Sequence, residues 1–203
     1  HTLNSQNTVL NKFIAQIRDK SIQTDSMRFR RNLERIGEIT AYEISKELSY
    51  TPRVVETPLG EATVETIDDR IVVATILRAG LPHHAFVSAY RKSTKDGKFT
   101  VKVEYISCGD LEDKVLLLVD PMLATGSSLV LAYNALCEKG GTPKYTHVAA
   151  VIASEQGIDY VSKNMPRQAT TIWAAAVDEE LTSRSYIVPG IGDAGDLAYG
   201  EKI

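Results

Sequence analysis

Three short, continuous apolar runs constrain this chain more than any other feature: Ile71 to Leu77, Val115 to Val119 and Val148 to Ala153. Thr171 to Val177 is a weaker fourth. Runs without alternation suit strands buried on both faces, the habit of a parallel sheet covered by helices. Leu129 to Glu138, between the second and third runs, has helical character. Strand, helix and strand in that order predict an α/β fold, a mostly parallel sheet flanked by helices with right-handed crossovers.

Upstream, the first fifty residues read as two helices. Val9, Leu10, Phe13, Ile14 and Ile17 recur at helical spacing, and Phe29, Leu33, Ile36, Ile44 and Leu48 continue the pattern. Arg53-Val54-Val55 and Ala62-Thr63-Val64 flank Thr57-Pro58-Leu59-Gly60, which predicts a small β-hairpin. The 203 residues suffice for one domain, residues 1–203, with no repeat or linker.

A net charge of -3 offers no basic footprint for nucleic acid or an anionic membrane surface. No apolar run is long enough to span a bilayer, and no signal-peptide core opens the chain, so the expected location is the cytoplasm. Cys108 and Cys137 are too few for a disulfide framework and are expected as reduced thiols. His83-His84 is not read as a metal site, because adjacent residues do not share a helical face and no ligand cluster lies near them in sequence.

The run Val115 to Val119 leads into Asp120-Pro121-Met122-Leu123-Ala124-Thr125-Gly126-Ser127-Ser128 and then a helix. In open α/β sheets a ligand sits beyond the carboxyl ends of the strands. Backbone N–H groups at the helix start, with the helix dipole, favour a phosphate there. Gly126 permits close approach, and Thr125, Ser127 and Ser128 carry hydroxyl donors. The bland alternative is a helix capped by Thr125 or Ser127. No lysine follows the glycine, so this is not the triphosphate-binding Walker loop.

The segment V-D-P-M-L-A-T-G resembles the PRPP-binding loop of the phosphoribosyltransferases, in the form of the uracil-specific branch. Ser127 stands where that family usually has a second glycine. Near the C-terminus, Tyr186-Ile187-Val188-Pro189-Gly190-Ile191-Gly192-Asp193-Ala194-Gly195-Asp196 reads from composition as a rigidly turned loop rather than a helix or strand. It resembles the uracil-binding loop of the uracil phosphoribosyltransferases almost letter for letter. Ile76-Leu77-Arg78-Ala79-Gly80-Leu81 and Ala89-Tyr90-Arg91 resemble two further segments, each supplying a PRPP arginine. Arg28-Phe29-Arg30-Arg31 resembles the family's R-F-R segment, although a basic run on a helix reads first as a solvated face. The family usually has a longer connection between His84 and Ala85, which leaves open a true deletion or an omitted segment.

The resemblance implies an enzyme that forms UMP and pyrophosphate from uracil and PRPP. It implies that Arg78 and Arg91 hold the diphosphate, that Asp120 meets the ribose, and that Ala124 to Ser128 cradle the 5′-phosphate. Pro121, Met122 and Leu123 complete that PRPP loop. Ile187, Gly192, Asp193 and Ala194 would hold the base, with Asp193 also approaching PRPP. Asp120, Arg78 and Asp193 are the expected catalytic residues. Magnesium is expected on the substrate's diphosphate rather than in a protein cage. A homo-oligomer (dimer or tetramer) and, as in some members, GTP as an effector are further implications.

Overall fold

The computed structural model describes residues 1–76, 85–93 and 99–200. A single 3-10 turn (Leu3–Ser5) precedes α1 (Val9–Arg18) and α2 (Ser26–Ser45). Each helix begins where a side chain accepts an otherwise orphaned N–H: Thr8 from Leu10 and Asp25 from Arg28. The apolar stripes read from the sequence become buried faces, with Leu10, Ile14, Ile17, Phe29, Ile36 and Ile44 all inside. Leu48 falls beyond the end of α2, and Val9 is exposed.

The hairpin is longer than its sequence signal. β1 (Tyr50–Thr57) and β2 (Gly60–Ile67) pair antiparallel over their whole length, from Tyr50 opposite Ile67 to Thr57 opposite Gly60. It forms a separate two-stranded sheet whose residues are mostly exposed.

The central sheet contains β3 (Ile71–Thr75), β4 (Ala85–Ser93), β5 (Phe99–Ser107) and β6 (Val115–Leu123). After α3 (Ser127–Gly140) follow β7 (Tyr145–Ser154), α4 (Glu155–Asn164) and β8 (Thr170–Asp178). The strand order is β5-β4-β3-β6-β7-β8. Every neighbouring pair is parallel except β4 with β5, which makes β5 an antiparallel edge. The sequence reading did not separate β4 and β5 as strands, because neither carries an unbroken apolar run. Two short strands, β9 (Glu180–Leu181) and β10 (Ile187–Val188), pair antiparallel, and α5 (Ala194–Tyr199) ends the described fold.

Alternation along the strands divides the core. Leu116, Leu118 and Val148 pack with Leu129, Val130 and Leu136 of α3 and Val161 of α4. Leu117 and Val119 turn the other way, toward Ala149, Trp173 and Ile44 of α2. On that second face, α1, α2 and α5 meet Ile152, Ala175 and Ala176 in one further cluster. Helices therefore cover both faces, as the apolar runs require.

Cys108 and Cys137 are free thiols, and burial pushes the pKa of both upward. No helix among the described residues is long and apolar enough to cross a membrane.

Candidate active site

β6 does not stop at Asp120. Among the described residues its pairing with β3 runs to Val119, and pairing with β7 continues through Leu123, opposite Ala153. Asp120 is thereby held opposite Ala150 of β7. Its Oδ1 accepts the Met122 N–H at 3.0 Å. Pro121, which has no N–H to give, sits between the paired residues Asp120 and Met122.

Beyond Leu123 the chain turns into α3, and here the bland alternative of a capped helix fails. The N-cap is Gly126, at φ 75°, and no side chain caps the helix. The Thr125 and Ser127 hydroxyls bond to each other at 2.9 Å instead. The first N–H groups of α3 therefore lack the side-chain partner that a capped helix would have. A helix start in this state attracts an anion, through both its N–H groups and its dipole.

The neighbouring strand–helix turn holds this loop in place. Ser154, the N-cap of α4, accepts the Gly157 N–H at 2.9 Å and donates its hydroxyl to the Ala124 carbonyl. Gly157 lets the two turns touch, since a Cβ there would lie 2.3 Å from the Ala124 oxygen. Gly126 needs its missing side chain for the reciprocal reason: a Cβ would lie 2.8 Å from the Gly157 oxygen. Ser154 and Gly157 were not singled out from the sequence. Their only signal was position, at the carboxyl end of the next apolar run.

The C-terminal segment is more structured than the loop read from its composition. Ile187 and Val188 pair with Leu181 and Glu180, and Ala194 opens α5. Between them lie a cis Val188-Pro189 bond and two glycines in the left-handed region, Gly190 at φ 55° and Gly192 at φ 84°. Asp193 is the N-cap of α5, its Oδ1 accepting from Gly195 at 2.8 Å and Asp196 at 3.1 Å. Tertiary pairing with β9 and this cap turn a glycine-rich stretch into a strand, a turn and a helix.

The two motifs, far apart in sequence, share one apolar cluster: Ala124 and Met122 of the first with Ile187, Ile191 and Ala194 of the second. Behind the second motif stands Asp178, the buried last residue of β8. Arg18, the last residue of α1, grips it through both oxygens, at 2.7 and 2.9 Å. Sequence reading missed both residues, because their pairing spans most of the chain.

Of the R-F-R segment, Phe29 is buried and Arg30 donates to the Ala198 carbonyl at the end of α5. Arg28 and Arg31 pair at the surface with Asp25 and Glu34. The solvated-face reading therefore holds for two of the three arginines. Arg91 lies on β4 opposite Val101. Arg78 and His83-His84 lie outside the described residues, as does the junction of His84 with Ala85. A cavity of about 560 Å³ opens elsewhere, between α4 and β8, and includes none of the motif residues.

A mostly parallel α/β sheet with an uncapped strand–loop–helix at its carboxyl edge, and a second turned segment packed beside it, defines an α/β protein whose helix start is open to an anion. A family model described as uracil phosphoribosyltransferase matches residues 4–201. A uracil phosphoribosyltransferase of Porphyromonas gingivalis is 53% identical over 213 residues, covering 99% of this chain and 98% of that one. One from Methanothermobacter thermautotrophicus is 38% identical, covering 96% and 93%. Among solved structures, the AQ2163 protein from Aquifex aeolicus superposes with a TM-score of 0.81 at 24% identity over 96% of each chain, a likeness of fold. The chain belongs to the uracil phosphoribosyltransferase family.

Proposed function

We infer that this chain joins uracil to the ribose 5-phosphate of PRPP, forming UMP and releasing pyrophosphate. The observation that carries the reading is the uncapped start of α3 behind Asp120, packed through Ala124 into the cluster that holds Ile187, Ile191 and Ala194. A phosphate at the first and a flat heterocycle at the second would hold the two substrates side by side. Such positioning, with charge stabilisation, is most of what this displacement needs.

In this reading the bond from the anomeric carbon to the pyrophosphate oxygen breaks with its electron pair leaving on pyrophosphate, and a uracil ring nitrogen bonds to that carbon and releases its proton to water. Ala124 to Ser128 hold the 5′-phosphate and Asp120 meets the ribose hydroxyls. Arg78 and Arg91 grip the departing diphosphate, where the guanidinium fork suits phosphate oxygens. The backbone of Ile187 and of Gly192 to Ala194 reads the uracil edge, and Asp193 faces both substrates. Among the described residues no group of three or more His, Cys, Asp or Glu side chains could hold a metal. We propose that magnesium arrives on the diphosphate oxygens and water, where it would neutralise the leaving group. A cytoplasmic location, a homo-oligomer and GTP as an effector are proposals that rest on the family alone.

The test is a PRPP- and magnesium-dependent assay of purified protein. Uracil should be converted to UMP, with cytosine a much poorer substrate. Turnover of a purine base with none of uracil would refute the reading.

A further inference from the structure

We propose that Arg18 and Asp178 are positioning residues for the base-reading segment 187–194, setting how well uracil is recognised without touching it. The inference rests on the functional reading above and deepens it.

Two side chains occupy both polar backbone groups of Gly190. Asp178 Oδ2 accepts the Gly190 N–H at 2.9 Å while also bonding Arg18. The same Arg18 nitrogen donates to the Gly190 carbonyl at 3.1 Å. Gly190 is a pivot that no other residue could fill, since a Cβ there would lie 2.2 Å from the Ile187 oxygen. A second tie comes from the turn after α1. The Gln23 amide, oriented with its nitrogen toward them, donates to the Ile191 carbonyl at 3.1 Å and the Ile17 carbonyl at 2.9 Å. Between these polar ties, Ile14 and Ile17 of α1 pack in one cluster with Ile187 and Ile191. The segment is thus fixed from behind by α1 and its following turn, between Ile187 and Gly192.

A backbone edge discriminates between heterocycles only if its donors and acceptors stay within about half an ångström of the matching geometry. Arg18 suits this task because its planar fork serves the carboxylate and the carbonyl together. A lysine would neutralise Asp178 but, as a point charge, could not hold that three-way geometry. A purely structural ion pair would need only the charge; a positioning pair needs the fork.

The experiment compares the full-length wild type with Arg18→Met and Arg18→Lys, measuring KM for uracil and for PRPP and the preference for uracil over cytosine. Arg18→Met should raise the uracil KM by roughly tenfold to a hundredfold, the range for a lost charge-assisted bond. The PRPP KM should stay within about twofold, and the preference for uracil should narrow. Arg18→Lys should fold with near wild-type thermal stability yet show an intermediate loss confined to uracil. Should Arg18→Met fail to fold, Arg18→Lys carries the same comparison. An unchanged uracil KM, or equal rises for both substrates, overturns the proposal while leaving the functional reading intact. A wild type that does not use uracil overturns both.

Discussion

The Ser154 hydroxyl donates to the Ala124 carbonyl and accepts from the Gly157 N–H, so one side chain joins the loop after β6 to the start of α4. This explains how a loop with an uncapped helix keeps its shape. The contact surface is backbone on backbone, which makes it intolerant of added atoms.

Gly157→Ala should therefore weaken PRPP binding. Its Cβ would have to displace the Ala124 oxygen, at 2.3 Å, or the Leu123 oxygen, at 2.8 Å. Overpacking of this kind costs about 1–3 kcal/mol. Titration with PRPP and thermal unfolding should show reduced affinity together with a lowered Tm. Wild-type PRPP affinity would mean that the loop does not depend on this contact.

Asp120→Asn should leave the fold in place and slow the reaction. The amide keeps an oxygen for the Met122 N–H, now 3.0 Å from the carboxylate, but removes the charge from the proposed ribose site. A loss of roughly tenfold to a thousandfold in kcat is expected, the scale for removing one group that stabilises a transition state. Full activity with unchanged PRPP affinity would show that the substrate lies elsewhere.

Gly192→Val should damage uracil recognition. At φ 84° the position is in the left-handed region, although nothing lies within 4 Å of a new Cβ. Strain rather than collision is the cause, about 1–2 kcal/mol for an ordinary side chain and more for a β-branched one. Paired titrations, PRPP alone and uracil in the presence of PRPP, should show loss mainly in the second. Equal losses would indicate general misfolding, and unchanged uracil binding would place the base elsewhere.

Acid should destabilise the fold through His147. Burial lowers its pKa below the usual 6.5, against the opposing pull of Glu47 and Asp69. Its Nδ1 accepts the Trp173 indole N–H at 3.1 Å, which requires that nitrogen to be unprotonated. With the folded pKa depressed, the unfolded state takes the proton first. The stabilisation is complete above about pH 6.5 and falls away as the pH drops toward the folded value. Thermal unfolding between about pH 7.5 and about pH 5.5, one unit either side of the ordinary histidine pKa, should show a Tm decline that His147→Gln flattens. Parallel profiles for the two proteins would assign the acid sensitivity to other groups.

Much of the architecture was legible because its signals are local. The runs at Val115 to Val119 and Val148 to Ala153 became β6 and β7, central strands covered on both faces. The stripes through Ile14 and Ile36 became α1 and α2. β4 and β5 were not legible as strands, and the segment from Ile187 to Ala194 was read as loop although it contains β10 and starts α5. Its short strand exists only because Leu181 and Glu180 pair with it, and no local pattern announces a partner.

For the site, the sequence by itself determined which residue types stand at the candidate site: an acidic strand end, a hydroxyl-rich loop at a helix start, and a glycine-rich turn. These are legible because backbone freedom and hydrogen-bonding groups belong to individual residues and near neighbours. Only the tertiary structure decided what holds them. Thr125 and Ser127 bond each other rather than capping α3, Ser154 reaches across thirty residues to Ala124, and Arg18 reaches across 160 to Asp178. Such partners are chosen by how strands and helices pack in space, and a single charged or hydroxylated residue carries no mark of the distant group it will meet.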